Sequence, residues 1–549
     1  MSKRLWVLGL TIGLLVSACS SDTTSSTTSS SLGVAPTTTA TTVPPPSTTT
    51  TVASRCPSDF CVVYTIRPDA AWSDGEPVVA EDFVYTHSVM TGLLAPIDHV
   101  AALSDKTVLV VFEEVFGAWR SLFDYILPAH IEDPSVSGDA LQVTAGPFVL
   151  DNWLTGESLT LRRNPNHGSE GDVDEVTFVF QESVRSAVRA LDRNEIDVLS
   201  LKPLDWLVAD VARMDDVVYE TGPGAFWEHI DFNLDDPLLS QRWVREAIAT
   251  AVPRDSIMDA TVRTVDPESN ALAATVWMSN ASPYEPHFMI SSDPEAAEKI
   301  LTDRFCVKGD DGIYSCQGRR MSFVFAYAIG DPYRAEVFEI VSGALSDIGI
   351  ELLELSLTPS ELFSTDTFFA GPDVWQMMNF SWKASEEPSL ANGIYLCDGD
   401  TPSGFGSLNV TRYCDEEVDA LIANANSTPD DVERAALYND MDSIYLGDLA
   451  SIPLYQKPEF LAWSSALAGP VLNMSSSSDL WNLESWVGKQ TIVISIEEEP
   501  VSLDPRTAPS RSESLVRSAL FGGAFSARPD LTYEFDLIES TELILGEGP

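Results

Sequence analysis

Tyr64-Thr65-Ile66-Arg67-Pro68-Asp69-Ala70-Ala71-Trp72-Ser73-Asp74-Gly75-Glu76-Pro77-Val78-Val79-Ala80-Glu81-Asp82-Phe83 is the stretch on which the fold turns. Tyr64 to Arg67 alternates as a strand does, and Asp74-Gly75 is a turn dipeptide. Ala80 to Tyr85 opens a helical pattern with acids in its first turn. The local expectation is strand, turn, helix, at the start of a body that runs on for several hundred residues.

In front of this stretch lies material of a different kind. Lys3 and Arg4 precede an apolar run from Leu5 to Val16, too short to span a bilayer and of the form of an export signal. The run ends in Val16-Ser17-Ala18-Cys19, which resembles the lipobox of bacterial lipoproteins, in which the cysteine thiol is acylated and the preceding peptide removed. An ordinary secretory signal is the alternative. From Ser20 to Ser54 the chain is nearly all Ser, Thr, Pro, Ala and Val, too polar and uniform for a core. A flexible linker of that length spans about 30 Å.

The whole chain has 549 residues, with 83 acidic against 32 basic and a net charge of -51. Nucleic acid would be repelled from such a surface. At 44% hydrophobic residues and 13 Trp the acidity sits on a folding chain, not on a disordered tail. Six cysteines lie behind the linker, and in an exported chain an even count suits disulfides. The simplest connectivity is local: Cys56 with Cys61, Cys306 with Cys316, Cys397 with Cys414. Zinc competes less well, because no His stands near these pairs. Neither a nucleophile elbow, a zinc-protease helix nor a phosphate loop occurs, and no enzyme activity is expected.

The Trp72-Ser73-Asp74-Gly75 block, followed by Pro77 and Ala80-Glu81-Asp82, resembles the signature of the family 5 extracellular solute-binding proteins, the oligopeptide, dipeptide and nickel receptors of ABC importers. Further blocks follow in that family's order: Leu127-Pro128-Ala129-His130, Ala145-Gly146-Pro147-Phe148, Arg163-Asn164-Pro165, Asp231-Phe232-Asn233, Val244-Arg245-Glu246-Ala247-Ile248, Asp347-Ile348-Gly349-Ile350-Glu351 and Ser451-Ile452-Pro453-Leu454-Tyr455. One segment stands out of order. Thr491 to Ile496, Glu499-Pro500-Val501-Ser502-Leu503-Asp504-Pro505 and Pro529-Asp530-Leu531 resemble the opening of the family, which elsewhere precedes the Trp72 block. The expectation is a circular permutation, with a tandem second copy or a shortened chain as alternatives; permutation predicts that Thr491–Ile496 is a strand in the same sheet as the 173–201 region.

The resemblance implies an α/β architecture, the large two-lobed type II periplasmic-binding fold (cluster C-like) with an extra subdomain. It divides the chain into a signal peptide (1–18), a linker (19–54), the extra subdomain (55–145), the first part of lobe I (146–262), lobe II (263–456) and a return to lobe I (457–549). It further implies a monomeric extracytoplasmic receptor, held to the membrane only by a lipid on Cys19. No cofactor, metal or nucleic acid is expected. Its partners would be a separately encoded permease and ATPase and a solute ligand, a peptide first. A nickel complex or sugar is the alternative, as is a surface sensor that kept the fold without transport.

In the family an acid pairs the peptide's amino terminus, in a block that here resembles Phe380-Ser381-Trp382-Lys383-Ala384-Ser385-Glu386-Glu387-Pro388. Ser385 stands where that acid is expected; Glu386 or Glu387 either replaces it or is a solvated turn residue. Trp382 and Phe226-Trp227 are the expected cleft aromatics, with ordinary core packing as the alternative. Asn379, Trp375 and Tyr395 are weaker candidates. Arg511 either contributes from the opposite lobe or is simply exposed, while Asn233 and Arg245 are expected beneath the cleft.

Overall fold

A computed structural model describes residues 56–90, 95–131, 143–168, 170–181, 183–397, 408–473, 475 and 478–546. The export signal, Cys19 and the linker lie outside the described residues. The opening block folds as its pattern predicts: a strand Phe60–Ile66, a turn with Gly75 at φ +96°, and a helix Ala80–Val89. Asp82 ties the three together. Its carboxylate accepts from the Trp72 indole (3.0 Å), from Val79 N at the helix start (2.8 Å) and from Ala129 N (2.8 Å). One acid thus satisfies an orphan donor of the helix and docks the buried Trp72.

Phe60–Ile66 lies inside a four-stranded antiparallel sheet, between Ile538–Leu545 and Thr107–Phe112, with Ile97–Ser104 outermost. The larger sheet has ten strands. From one edge they are Glu351–Leu357, Ser322–Ala328, Met377–Lys383, Val217–Phe232, Ser451–Ser464, Val198–Ser200, Thr491–Ile496, Glu175–Phe180, Ser158–Arg163 and Phe148–Leu154. The two longest, Val217–Phe232 and Ser451–Ser464, sit at its centre and pair antiparallel along most of their length. One end of this ribbon pairs with Met377–Lys383 and the other with Val198–Ser200, so it passes from one half of the molecule into the other. Its register shifts twice, between Pro453 and Tyr455 and between Gln456 and Pro458.

Thr491–Ile496 is parallel to both its neighbours, Val198–Ser200 and Glu175–Phe180. This is the strand position that the sequence reading required. The last described residues return to the first: Gly546 N donates to Asp59 O at 2.7 Å.

The three largest hydrophobic cores organise the described residues. One contains Phe148 to Val198 and Leu461 to Leu520, a second Phe60 to Ala145 with Ala524 to Ile538, and the third Ile230 to Tyr455. The expected boundary at 262/263 is therefore corrected in packing terms. Val244, Ile248, Ile257 and Val262 bury their side chains in the core of the 263–456 half, because the ribbon strand ahead of them has already crossed over. Likewise 524–538 packs with the extra subdomain and not with the rest of 457–549. The three expected disulfides, Cys56–Cys61, Cys306–Cys316 and Cys397–Cys414, are formed. No helix among the described residues is long and apolar enough to cross a membrane.

Candidate functional site

Where the ribbon crosses, each half grips it by a buried charge. Toward the 263–456 half, Lys457 Nζ lies 2.5 Å from Glu228 Oε1 and 2.6 Å from Asp331 Oδ2. Arg334 donates to Glu228 from Nη2 (2.8 Å) and Nε (3.1 Å), and Asn379 Nδ2 donates to Glu228 Oε2 (2.9 Å). Burial pushes the Glu228 carboxyl up, but the adjacent Arg334 and Lys457 outweigh it and hold the group at about 2.

Two residues further along, Glu459 Oε2 accepts from Arg511 Nη1 at 2.5 Å. Arg511 also reaches Asp479 (3.0 Å) and Ser200 (3.1 Å). Here burial wins over Arg511, and with Asp479 and Glu497 nearby the Glu459 carboxyl is pushed up to about 7. Gly224 faces both contacts; a Cβ there would come within 2.7 Å of Lys457 O and 3.0 Å of Glu459 Cγ.

These shifts have opposite signs for stability. Burial pushes Asp442, fully enclosed, up to about 6, so Asp442 and Glu459 both hold their protons better folded than unfolded. Their contribution is complete below the unfolded carboxyl range and is lost as pH rises through 6 to 7. Glu228 works the other way and loses its contribution as pH falls below the same range toward 2. Protonation also relieves the self-repulsion of a chain at net charge -51. The melting temperature is expected to be higher at pH 5 than at pH 8, by about 5 °C or more. A pH series of calorimetric scans with the order reversed refutes this.

Above the ribbon the aromatic residues come together. Trp382 and Trp227 are directly opposite in the strand ladder, and with Ser385, Tyr395 and Tyr438 they line a pocket of only 20 Å³, room for about one water. A turn from the far end of the chain lies nearby: Leu531 and Trp382 both pack against the cluster of Trp227, Leu272 and Met278. Leu531 holds φ 63°, a left-handed backbone unusual for a branched residue. Beside this turn is the large cavity, 780 Å³, between the ribbon (Glu220, Gly222, Gln456), the 266–284 segment of one half, and Val471, Leu472, Pro529 and Asp530 of the other. Gln456 spans its floor, accepting from Ser279 N (2.9 Å) and donating to Gly224 O (3.0 Å) and Asn280 Oδ1 (3.2 Å).

Of the candidates from sequence, Trp227, Trp382, Ser385 and Tyr395 share the small pocket, and Phe226 is half-buried opposite Lys383. Asn379 is buried on the Glu228 carboxylate, and Trp375 is a core residue whose indole donates to Thr367 O. The reading of Glu386 and Glu387 as solvated turn acids is corrected. Glu387 is fully buried, 3.1 Å from Arg434, and Glu386 is 9% exposed, close enough to Asp124 and Tyr533 to act on their titration. Arg511 is likewise not an exposed arginine: it sits between Glu459 and Asp479. Asn233 and Arg245 tie backbone carbonyls, Arg245 bonding those of Leu239, Asp448 and Leu449. The cavity's own polar residues, Glu220, Asp266, Glu268, Asn280 and Asp530, carry no local signal that separates them from the other acids and amides.

Two halves joined by a two-stranded ribbon, with a cavity walled by both, define a two-lobed solute receptor of the type II periplasmic-binding fold. The sequence profile of the bacterial extracellular solute-binding proteins, family 5 (middle) matches residues 59–401. The chain belongs to this family of extracytoplasmic solute-binding proteins, which are not enzymes. The oligopeptide-binding protein OppA of Mycobacterium tuberculosis is 26% identical over 433 residues, covering 74% of this chain and 71% of that protein. Among solved structures, the periplasmic EDTA-binding protein EppA superposes with a TM-score of 0.65 at 20% identity, covering 78% of this chain and 85% of its own. The oligopeptide-binding protein AppA of Bacillus subtilis, in complex with a nonapeptide, does so with a TM-score of 0.57 at 20% identity, covering 79% and 88%.

Proposed function

We propose that this protein captures peptides outside the cell membrane and delivers them to a permease driven by a separate ATPase. It would do so as a monomer tethered through a lipid on Cys19 and the 19–54 linker. The observation that carries the reading is the 780 Å³ cavity walled by both halves at the ribbon, beside paired tryptophans. Its size suits a short peptide. The oligopeptide-binding name of a relative aligned along 74% of the chain supports the same class.

Ser385 in place of the expected acid leaves the amino-terminal anchor to another group. Glu387 is committed to Arg434 and is not that group. Native mass spectrometry of the purified protein is expected to reveal co-bound peptide, and re-adding that peptide to stripped protein to raise the melting temperature. The Trp227→Ala/Trp382→Ala double variant is expected to lower peptide affinity about 10-fold or more. An unchanged affinity in a folded double variant removes the tryptophans from the site.

The chain order is read as a circular permutation. In support, Thr491–Ile496 lies between Val198–Ser200 and Glu175–Phe180, and Ile538–Leu545 pairs with Phe60–Ile66, the strand that would follow it in an unpermuted chain.

A further inference from the structure

The carboxylates of the molecule divide into two sets. Those gripping the ribbon are neutralised: Glu228 and Asp331 by Lys457 and Arg334, Glu459 and Asp479 by Arg511, and Glu497 by Lys202 at 3.3 Å. Those facing the 780 Å³ cavity are not. Glu220, Asp266, Glu268 and Asp530 line it, with no lysine or arginine among the lining residues.

Their partners among the described residues are neutral donors. Glu220 accepts from Leu472 N (3.1 Å), Asp266 from Glu268 N (3.2 Å) and the Ser269 hydroxyl, and Asp530 from Thr532 N (3.2 Å) and Oγ1 (2.6 Å). The Glu268 carboxylate is exposed and makes no ion pair or hydrogen bond there. Arg528, two residues from Asp530, bonds Glu534 at 2.8 Å and also acts on Asp530 through its charge, so Asp530 is the least bare of the four. Asp266 is 3% exposed, a buried carboxylate at the cavity wall that accepts from neutral donors among the described residues.

Lys202, Arg334, Lys457 and Arg511 thus sit on the carboxylates beneath the cavity, while no lysine or arginine lines the cavity itself. Low-dielectric walls concentrate the field of like charges inside a cleft, which favours an entering cation and excludes an anion.

We propose that the cavity selects a cationic solute, a peptide carrying lysine or arginine side chains, over neutral and acidic peptides. This rests on the solute-capture reading and adds the ligand's charge. Gln456 and Asn280 are neutral and hydrogen-bonded to each other, and the cavity acids come from the ribbon (Glu220), from the 266–284 segment (Asp266, Glu268) and from Asp530. A bound peptide with two cationic side chains would meet a carboxylate from each half, so that binding draws the halves together.

The test is calorimetric titration of the full-length protein, stripped of bound solute, with trilysine, trialanine, triglutamate and spermidine. Trilysine is expected to bind about 10-fold or more tighter than trialanine, with affinity falling as salt rises, and triglutamate not to bind. Glu220→Gln and Glu268→Gln should each weaken trilysine about 3- to 10-fold and trialanine by a clearly smaller factor; an equal loss for both tripeptides overturns the charge inference. Equal affinity for trilysine and trialanine overturns the charge inference and leaves peptide capture standing. Spermidine bound with every tripeptide unbound supports the charge inference and overturns peptide capture.

Discussion

Replacing Lys457 with methionine is expected to lower the unfolding free energy by about 3–5 kcal/mol, read from urea melts. Methionine keeps the length of the side chain and removes its charge. Glu228 retains Arg334 and Asn379, so it is the less affected partner. Asp331 is 7% exposed and keeps the Tyr333 amide (3.0 Å) and the more distant charge of Arg334, but no cation in contact. The loss is thus mainly that of a buried carboxylate stranded without its cation. Adding Asp331→Asn should then restore part of the stability, a sign that ordinary packing loss would not produce. A loss below about 1 kcal/mol, the range of an exposed pair such as Arg242–Glu246, would mean that the cluster is solvated and does not grip the ribbon.

Cutting the chain after Lys489 is expected to abolish cooperative folding. The removed segment supplies Thr491–Ile496 from the interior of the ten-stranded sheet, and the helix Arg511–Leu520, whose Leu515, Val516, Ala519 and Leu520 pack on Phe148 and Leu159. It also carries Arg511 away from Glu459. Among the described residues, every other strand already has its own pairing, so none is free to fill a gap flanked on both sides by parallel neighbours. A rearranged chain starting at Gln490, joined from Gly546 through a short Gly/Ser link to Cys56 and ending at Lys489, should fold to the same melting temperature within a few degrees. Were 490–546 a dispensable second copy, the cut protein would melt normally; that result, by circular dichroism and scanning calorimetry, sinks the permutation.

Short-range order was readable from the residues themselves; of the long-range pairing, only the placement of Thr491–Ile496 was, and that through the family resemblance. Tyr64 to Phe83 could be read because its strand, turn and helix are set by neighbours within a few residues, and Asp82 acts on donors at 72 and 79. Trp382 and Trp227 were expected as cleft aromatics from sequence, but that they face each other depends on a strand register that only the fold fixes. Arg511 and Glu387 were misread for one reason. Arg511 finds Glu459 at a separation of 52 residues, and Glu387 finds Arg434 on a different helix, so nothing near either residue announces that it is buried. The acids of the cavity were invisible for a different reason: among 83, these four share only the cavity they line, which no local pattern marks. The boundary near 262 slipped because Val217–Phe232 belongs to both halves, a property of one continuous strand that leaves no break in composition.

The two register shifts of the ribbon fall at prolines. Pro453 and Pro458 flank them, and Pro223 stands opposite Pro458. A proline brings no N–H to a ladder, so this length of ribbon is held by fewer cross-strand bonds than the lengths on either side. Torsion concentrated here would turn one half against the other without exchanging backbone hydrogen bonds for water. Such a joint is mechanically soft and stores little elastic energy in either position. The force that shuts the molecule must then come from what lies in the gap, and the solute acts as the fastener.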